Sequence, residues 1–189
     1  MSTILVIKIA LAVGAIIVLV GRWIRRRRSS GEVGDPEIMR GLRLHMLETV
    51  PEQLDASVGP DDPVAIIMDI GTPEGAASVY SSIEGDASIY LTNGGGLLGG
   101  IGHDSVRAAA QAFVQQAGNH RDELTRTSDY PYPADGNVRF YVCTRQGVYA
   151  SYERFEDALG RREDALWPLF YAGQNVITEF RRVAPEFGQ

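Results

Sequence analysis

Residues 63–92 read PVAIIMDIGTPEGAASVYSSIEGDASIYLT, and the fold depends on how this stretch divides. Pro63–Ile70 is a compact run rich in β-branched residues, apolar enough for an interior strand. Ala76–Ser82 and Asp86–Thr92 flank Ile83-Glu84-Gly85-Asp86, where Glu84-Gly85 suits a two-residue hairpin turn. That turn sets Ser82 against Ala87, Tyr80 against Ile89 and Ser78 against Leu91. Tyr80, Ile89 and Leu91 then share one face, the expected core side.

Downstream, Asn137–Thr144 alternates Val138, Phe140 and Val142 with Arg139, Tyr141 and Cys143. With Arg145-Gln146-Gly147 as a three-residue loop and Gly147 left-handed, Thr144 pairs with Val148. Val142 then meets Ala150 and Phe140 meets Tyr152, so both strands offer one apolar face. Cys143 falls on the other face. With no histidine paired to it, it reads as a packing residue rather than a nucleophile.

Helices frame these hairpins. Asp35-Pro36-Glu37 starts one: aspartate as cap, proline in the first turn, acid at the positive pole. Met39, Leu42, Met46 and Val50, with Leu47 beside them, repeat at helical spacing until Pro51. His45 there has no second ligand a turn away and reads as a half-buried surface side chain. Val106, Ala109, Ala110, Phe113, Val114 and Ala117 form a complete helical stripe, capped by Asp104 or Ser105 and ended by Gly118-Asn119. A last helix begins at Trp167-Pro168 and runs through Leu169, Phe170, Gly173, Val176, Ile177 and Phe180 to Arg181-Arg182. Arg121–Gly136 reads as a loop packed down by Tyr130 and Tyr132.

The element order is therefore α-βββ-α-ββ-α. Strands do not alternate singly with helices, so the class is α+β with a mainly antiparallel sheet of about five strands flanked by helices. This order loosely resembles the profilin-like and roadblock-like platforms. The resemblance rests on element order, and it implies binding and regulation rather than catalysis.

The chain has 189 residues, enough for one domain and a short appendage. The appendage is Thr3–Gly21, TILVIKIALAVGAIIVLVG, apolar except for Thr3 and Lys8. As a helix its 19 residues would span ~28 Å, the thickness of bilayer hydrocarbon. Lys8 lies near the end, where it can snorkel to the headgroups, and Trp23 falls at the opposite boundary. Arg22, Arg25, Arg26, Arg27 and Arg28 follow, so the positive-inside rule puts the N-terminus outside and the body in the cytoplasm. A cleavable signal peptide would carry its charge first and a small-residue cleavage site after; this stretch has neither. A core helix would not be uniformly apolar beside an arginine cluster.

The reading is thus a single-pass anchor with its arginine cluster at residues 1–28, a polar linker at 29–34, and one cytoplasmic domain at 35–189. The anchor would contact lipid through residues 3–28, with Arg22, Trp23 and Arg25–Arg28 at the headgroups. Residues 1–28 carry Lys8 and five arginines and no acid, whereas the rest carries twelve arginines against twenty-four acids. A body with a balance of −12 would repel nucleic acid. The lone Cys143 excludes an intramolecular disulfide framework.

One segment invites chemistry: Asn93-Gly-Gly-Gly-Leu-Leu-Gly-Gly-Ile-Gly-His103-Asp-Ser105. Gly94, Gly95, Gly96, Gly99, Gly100 and Gly102 lie between a strand and a strong helix, with His103 and Ser105 at the helix mouth. Gly94, Gly96 and Gly99 satisfy G-x-G-x-x-G, and exposed amides at a helix N-terminus favour an anion. The setting is not a Rossmann one. The strand before it comes from a hairpin, and Asp104 puts a carboxylate where phosphate would sit. The architectural reading has the glycines turn a strand end tightly, with Leu97, Leu98 and Ile101 tucked under the helix. His103 and His120 would be ~25 Å apart, too far to share a metal.

No catalytic or metal motif stands out, and no cofactor is called for. The sequence supports a membrane-anchored interaction or regulatory module whose partner is a protein. The alternative is a small-ligand, nucleotide or anion-binding protein, even an enzyme, using residues 94–105.

Overall fold

The computed structural model describes residues 35–49 and 58–184. The expected anchor with its arginine cluster, the expected linker and the Val50-Pro51 helix end lie outside the described residues. Among the described residues, no helix is long and apolar enough to cross a membrane.

Helix α1 spans Pro36–Thr49, and the Asp35 carboxylate accepts the Glu37 amide at 2.9 Å, as its capping position predicts. Four strands follow: β1 (Ala65–Thr72), β2 (Gly75–Ser82), β3 (Ala87–Leu91) and β4 (Gly96–Leu97). Helix α2 (Asp104–Gly118) buries the six residues of the predicted stripe. Then come β5 (Thr125–Thr127), β6 (Asn137–Thr144), β7 (Gly147–Ala150), β8 (Arg154–Phe155), the short α3 (Glu156–Gly160) and α4 (Trp167–Val183).

All strand pairings are antiparallel, in the order β4-β3-β2-β1-β6-β7-β5, with β8 beside β6. The five expected strands are β1, β2, β3, β6 and β7. Three short ones extend the sheet. One of them, β5, lies inside Arg121–Gly136, a stretch expected to be loop throughout; pairing with β7 makes it a strand. Helix α2 carries the chain from the β4 edge to the β5 edge, and β6 returns to the centre beside β1.

The sheet is covered on both faces. Ile66, Met68, Ile70, Phe140 and Val142 pack toward one buried cluster with Phe113 of α2 and Phe170 of α4. Ala65, Ile67, Tyr80, Tyr90, Tyr141 and Cys143 pack toward a second, with Leu47, Met39, Leu42 and Met46 of α1. That is why Pro63–Ile70 shows no polar alternation: every residue of β1 from Ala65 to Gly71 is buried.

Both hairpin registers differ from the expectation by one residue. In the first, Ser81 faces Ala87, Tyr80 faces Ser88 and Val79 faces Ile89. Its loop holds three residues, closed by Ser82 N–H to Asp86 O at 2.9 Å and Asp86 N–H to Ser82 Oγ at 3.0 Å, with Gly85 at φ +90°. Tyr80 consequently lies in the α1-side cluster, while Ile89 and Leu91 lie opposite.

In the second hairpin, Thr144 pairs with Gly147 and Val142 with Tyr149. The loop is the two-residue Arg145-Gln146, closed by Thr144 Oγ1–H to Gly147 O at 3.1 Å, with Gly147 at φ +131°. Apolar matching across one face cannot choose between registers when both faces are buried.

Candidate functional site

The glycine segment folds into strand β4 and a 3-10 turn at Gly100–Gly102. Four of its amides are taken up within the segment or the strand before it. Gly94 N–H donates to Leu91 O at 2.9 Å, Gly95 N–H to Asn93 Oδ1 at 3.0 Å, Gly102 N–H to Gly99 O at 3.3 Å and His103 N–H to Gly100 O at 3.1 Å. Gly94 and Gly99 sit in the left-handed region at φ +92° and +78°. A Cβ on Gly96 would stand 2.5 Å from Ile89 O, and one on Gly100 would stand 2.7 Å from Phe180 Cζ and Val106 Cγ1. Four of the six glycines thus serve close approach or backbone conformation, and the small-ligand reading draws no support from the arrangement.

At the helix mouth, His103, Asp104 and Ser105 are all exposed. The cap position belongs to His103, whose side chain makes no capping bond, rather than to Asp104 or Ser105. Asp104 instead pairs with Arg107 at 3.0 Å, one turn on. Leu97 is buried, but Leu98 and Ile101 are 58% and 43% exposed rather than tucked beneath the helix. Leu98 follows the end of β4, and Ile101 sits on the 3-10 turn. His120 lies at the other end of α2, with its Nε2 3.1 Å from Gln116 Nε2. His45 is exposed on α1.

The strongest polar arrangement lies elsewhere, under α1. Arg43 and Asp69 are 1% and 0% exposed. Arg43 Nε donates to Asp69 Oδ1 and Oδ2 at 3.2 and 3.1 Å, and its Nη2 makes a further short bond to Oδ2. Nη1 donates to Tyr130 O at 3.1 Å, and Ser78 Oγ–H donates to Asp69 Oδ1 at 2.5 Å. The Tyr132 ring lies 4.2 Å from the guanidinium and that of Tyr141 5.3 Å. Tyr141 in turn donates to Pro131 O at 2.6 Å and meets Tyr130 edge-on at 5.8 Å, so the loop is packed down by its tyrosines as expected.

Burial pushes the Asp69 carboxyl above its ordinary range, against the pull of Arg43 and Ser78. Burial works to lower the Arg43 guanidinium, but Asp69 more than offsets it and holds it above its usual value. The carboxylate is saturated with donors and closed to solvent. This arrangement fastens α1 to β1 and β2; it does not offer a nucleophile or base to a substrate.

Sequence reasoning missed the pair, although both signals were present. Arg43 falls four residues after Met39 on the apolar stripe of α1, and Asp69 interrupts an otherwise apolar strand. A charge at either place requires a buried partner.

A third feature is exposed. Tyr152 and Phe155 are 72% and 73% exposed, on the segment leading into α3. Tyr152 was expected in the core opposite Phe140; the two-residue loop instead puts Ser151 there, its N–H donating to Phe140 O at 3.0 Å. The segment is held in place: Glu153 Oε2 accepts from Asn137 Nδ2 at 2.8 Å, and Arg154 Nη2 donates to Glu123 at 2.7 Å. Beside it, burial and then the charges of Asp157 and Asp135 push the Glu156 carboxyl up to about 7.

An open groove of about 580 Å³ lies at the far end of α1, lined by Leu47, Glu48, Arg126, Ser128 and Tyr130 among others. Among the described residues no cluster of three or more His, Cys, Asp or Glu side chains could hold a metal. Cys143 is buried and its thiol is pushed up to about 12 by that burial. No protein-family model, curated protein or solved structure matches the chain.

Proposed function

We propose that the chain is a membrane-anchored cytoplasmic interaction module. Its anchor is Thr3–Gly21, with Arg22, Trp23 and Arg25–Arg28 at the headgroups, and its body faces a protein partner. The observation that carries the reading is the ledge of Tyr152 and Phe155: two large rings about three-quarters exposed in a body whose other aromatic side chains mostly serve its cores. Such rings on a rigid backbone are the usual anchors of protein interfaces. The adjoining exposed Asp135 and Asp157 favour a partner with a basic rim. Holding a weak binder on a membrane raises its effective concentration for partners on the same surface.

The test is crosslinking and pull-down of the full-length chain from detergent extract, compared with the Tyr152→Ala/Phe155→Ala variant. A partner captured by the native chain and lost from a folded variant supports the ledge. Recovery of the same proteins by both removes it. Protease protection checks the orientation, because cleavage of the body from outside would reverse it.

A further inference from the structure

Arg162 holds a backbone conformation that its side chain disfavours. Its φ of +62° is the one left-handed value outside glycine among the described residues. It stands just past α3, where Arg162 N–H donates to Leu159 O at 3.1 Å and Glu163 N–H to Ala158 O at 2.9 Å. Helices closed by this pair of bonds usually place glycine here, because glycine has no Cβ to strain. A strained position occupied by a long side chain points to a use for that side chain.

The side chain is exposed, yet its place is set. The guanidinium carbon lies 4.7 Å from the centre of the Trp167 ring and 5.3 Å from that of Tyr171. The stack is not needed to join α3 to α4, since Tyr171 Oη–H already donates to Gly160 O at 2.9 Å. What the guanidinium lacks is an oxygen. Among the described residues the other exposed arginines, Arg40, Arg126, Arg145, Arg161 and Arg182, each reach a carboxylate or carbonyl oxygen at 2.5–3.2 Å. The two acids that follow Arg162 in the chain are engaged elsewhere, Glu163 by Arg161 and Asp164 by Arg154. Arg162 is therefore a fork of N–H donors held in position without an acceptor among the described residues.

We propose that Arg162, backed by Trp167, is a docking point for a carboxylate of a protein partner. The proposal rests on the reading of the chain as a protein-binding module. A guanidinium takes a carboxylate through two parallel N–H···O bonds, and stacking on a ring occupies its face while leaving that edge free. A carboxylate suits the position better than a phosphate. Glu163 and Asp164 adjoin Arg162 in the chain, and they repel a dianion more strongly than a monoanion.

The experiment uses the full chain in detergent micelles, isotope-labelled for nuclear magnetic resonance, with Trp23→Phe leaving Trp167 as the one indole signal. The Arg162 Nε–H and Trp167 indole N–H resonances are followed through sodium acetate, phosphate and chloride at matched ionic strength. Acetate should shift both roughly threefold or more beyond chloride, and beyond phosphate, while the Arg145 signal stays in place. Arg162→Gly should abolish the Trp167 shift with the melting midpoint held within about 3 °C, because glycine relieves the backbone as the stack is lost. Shifts in acetate no larger than in chloride overturn the docking point, and larger shifts in phosphate overturn the choice of carboxylate. A greater fall of the Arg162→Gly midpoint makes the stack structural and overturns the proposal. Acetate shifts beside a pull-down that captures no partner would overturn the protein-binding reading and leave the carboxylate site.

Discussion

Asp69 lies in the middle of β1 with no exposure to water, and its charge is matched chiefly by Arg43 across from it on α1, with a lesser pull from Arg139. Asp69→Asn would leave that guanidinium buried without a counter-charge. The expected cost is about 3–5 kcal/mol by denaturant unfolding. Replacing both partners with apolar residues, as in Arg43→Met with Asp69→Leu, should recover most of it, because no charge is then stranded. A single variant as stable as the native chain would mean that α1 does not depend on the clamp. Glu156 carries a second prediction. Its carboxyl is raised from 4.5 to about 7, so the folded chain holds this proton more tightly than the unfolded one. Its stabilising contribution is complete below 4.5 and is lost as pH rises through about 7. Glu156→Gln should therefore melt higher than the native chain at pH 8 and show a flatter profile across that window. Identical melting profiles would contradict the burial of this carboxyl.

At the scale of elements, helices and hairpins were unequally legible. The stripe of α2 and the Trp167-Pro168 start of α4 follow from spacing and backbone chemistry alone, which is why they stand where the sequence puts them. The hairpins were placed correctly and registered wrongly. A loop of two or three residues is decided by small closures such as the Ser82 hydroxyl on the Asp86 amide, and apolar patterning does not report these. Gly147 offers the check. Its φ of +131° is closed to side chains, and a Cβ there would also meet Arg126 Nε at 3.3 Å. Gly147→Ala should cost about 1–3 kcal/mol in chemical denaturation. A neutral result would show that the turn can relax to another register. Short strands such as β5 escape detection because three residues carry no period, and only a neighbour's hydrogen bonds define them.

For the whole molecule, the sheet between two helical layers makes α1 part of the core rather than a detached arm. A chain beginning at Val58 would uncover Tyr80, Tyr90 and Tyr141 and strand Asp69. It should bind a hydrophobic dye and lose cooperative melting, whereas a chain beginning at Asp35 should melt in one transition; equal behaviour of the two would make α1 an accessory. Of the candidate site, the position of the glycine segment was legible in the sequence, and the bonding of its amides was not. The three long helices, the five longer strands, their order, the α+β class and the split between a cationic N-terminal stretch and an acidic remainder are legible from residue patterns, because each depends on local spacing or on counting. The burial of both sheet faces, the meeting of Arg43 with Asp69 and the exposure of Tyr152, Phe155, Leu98 and Ile101 come from long-range packing instead. Those facts depend on which surfaces distant segments present to one another. A side chain's burial is set by the elements that close over it, and no local pattern encodes them.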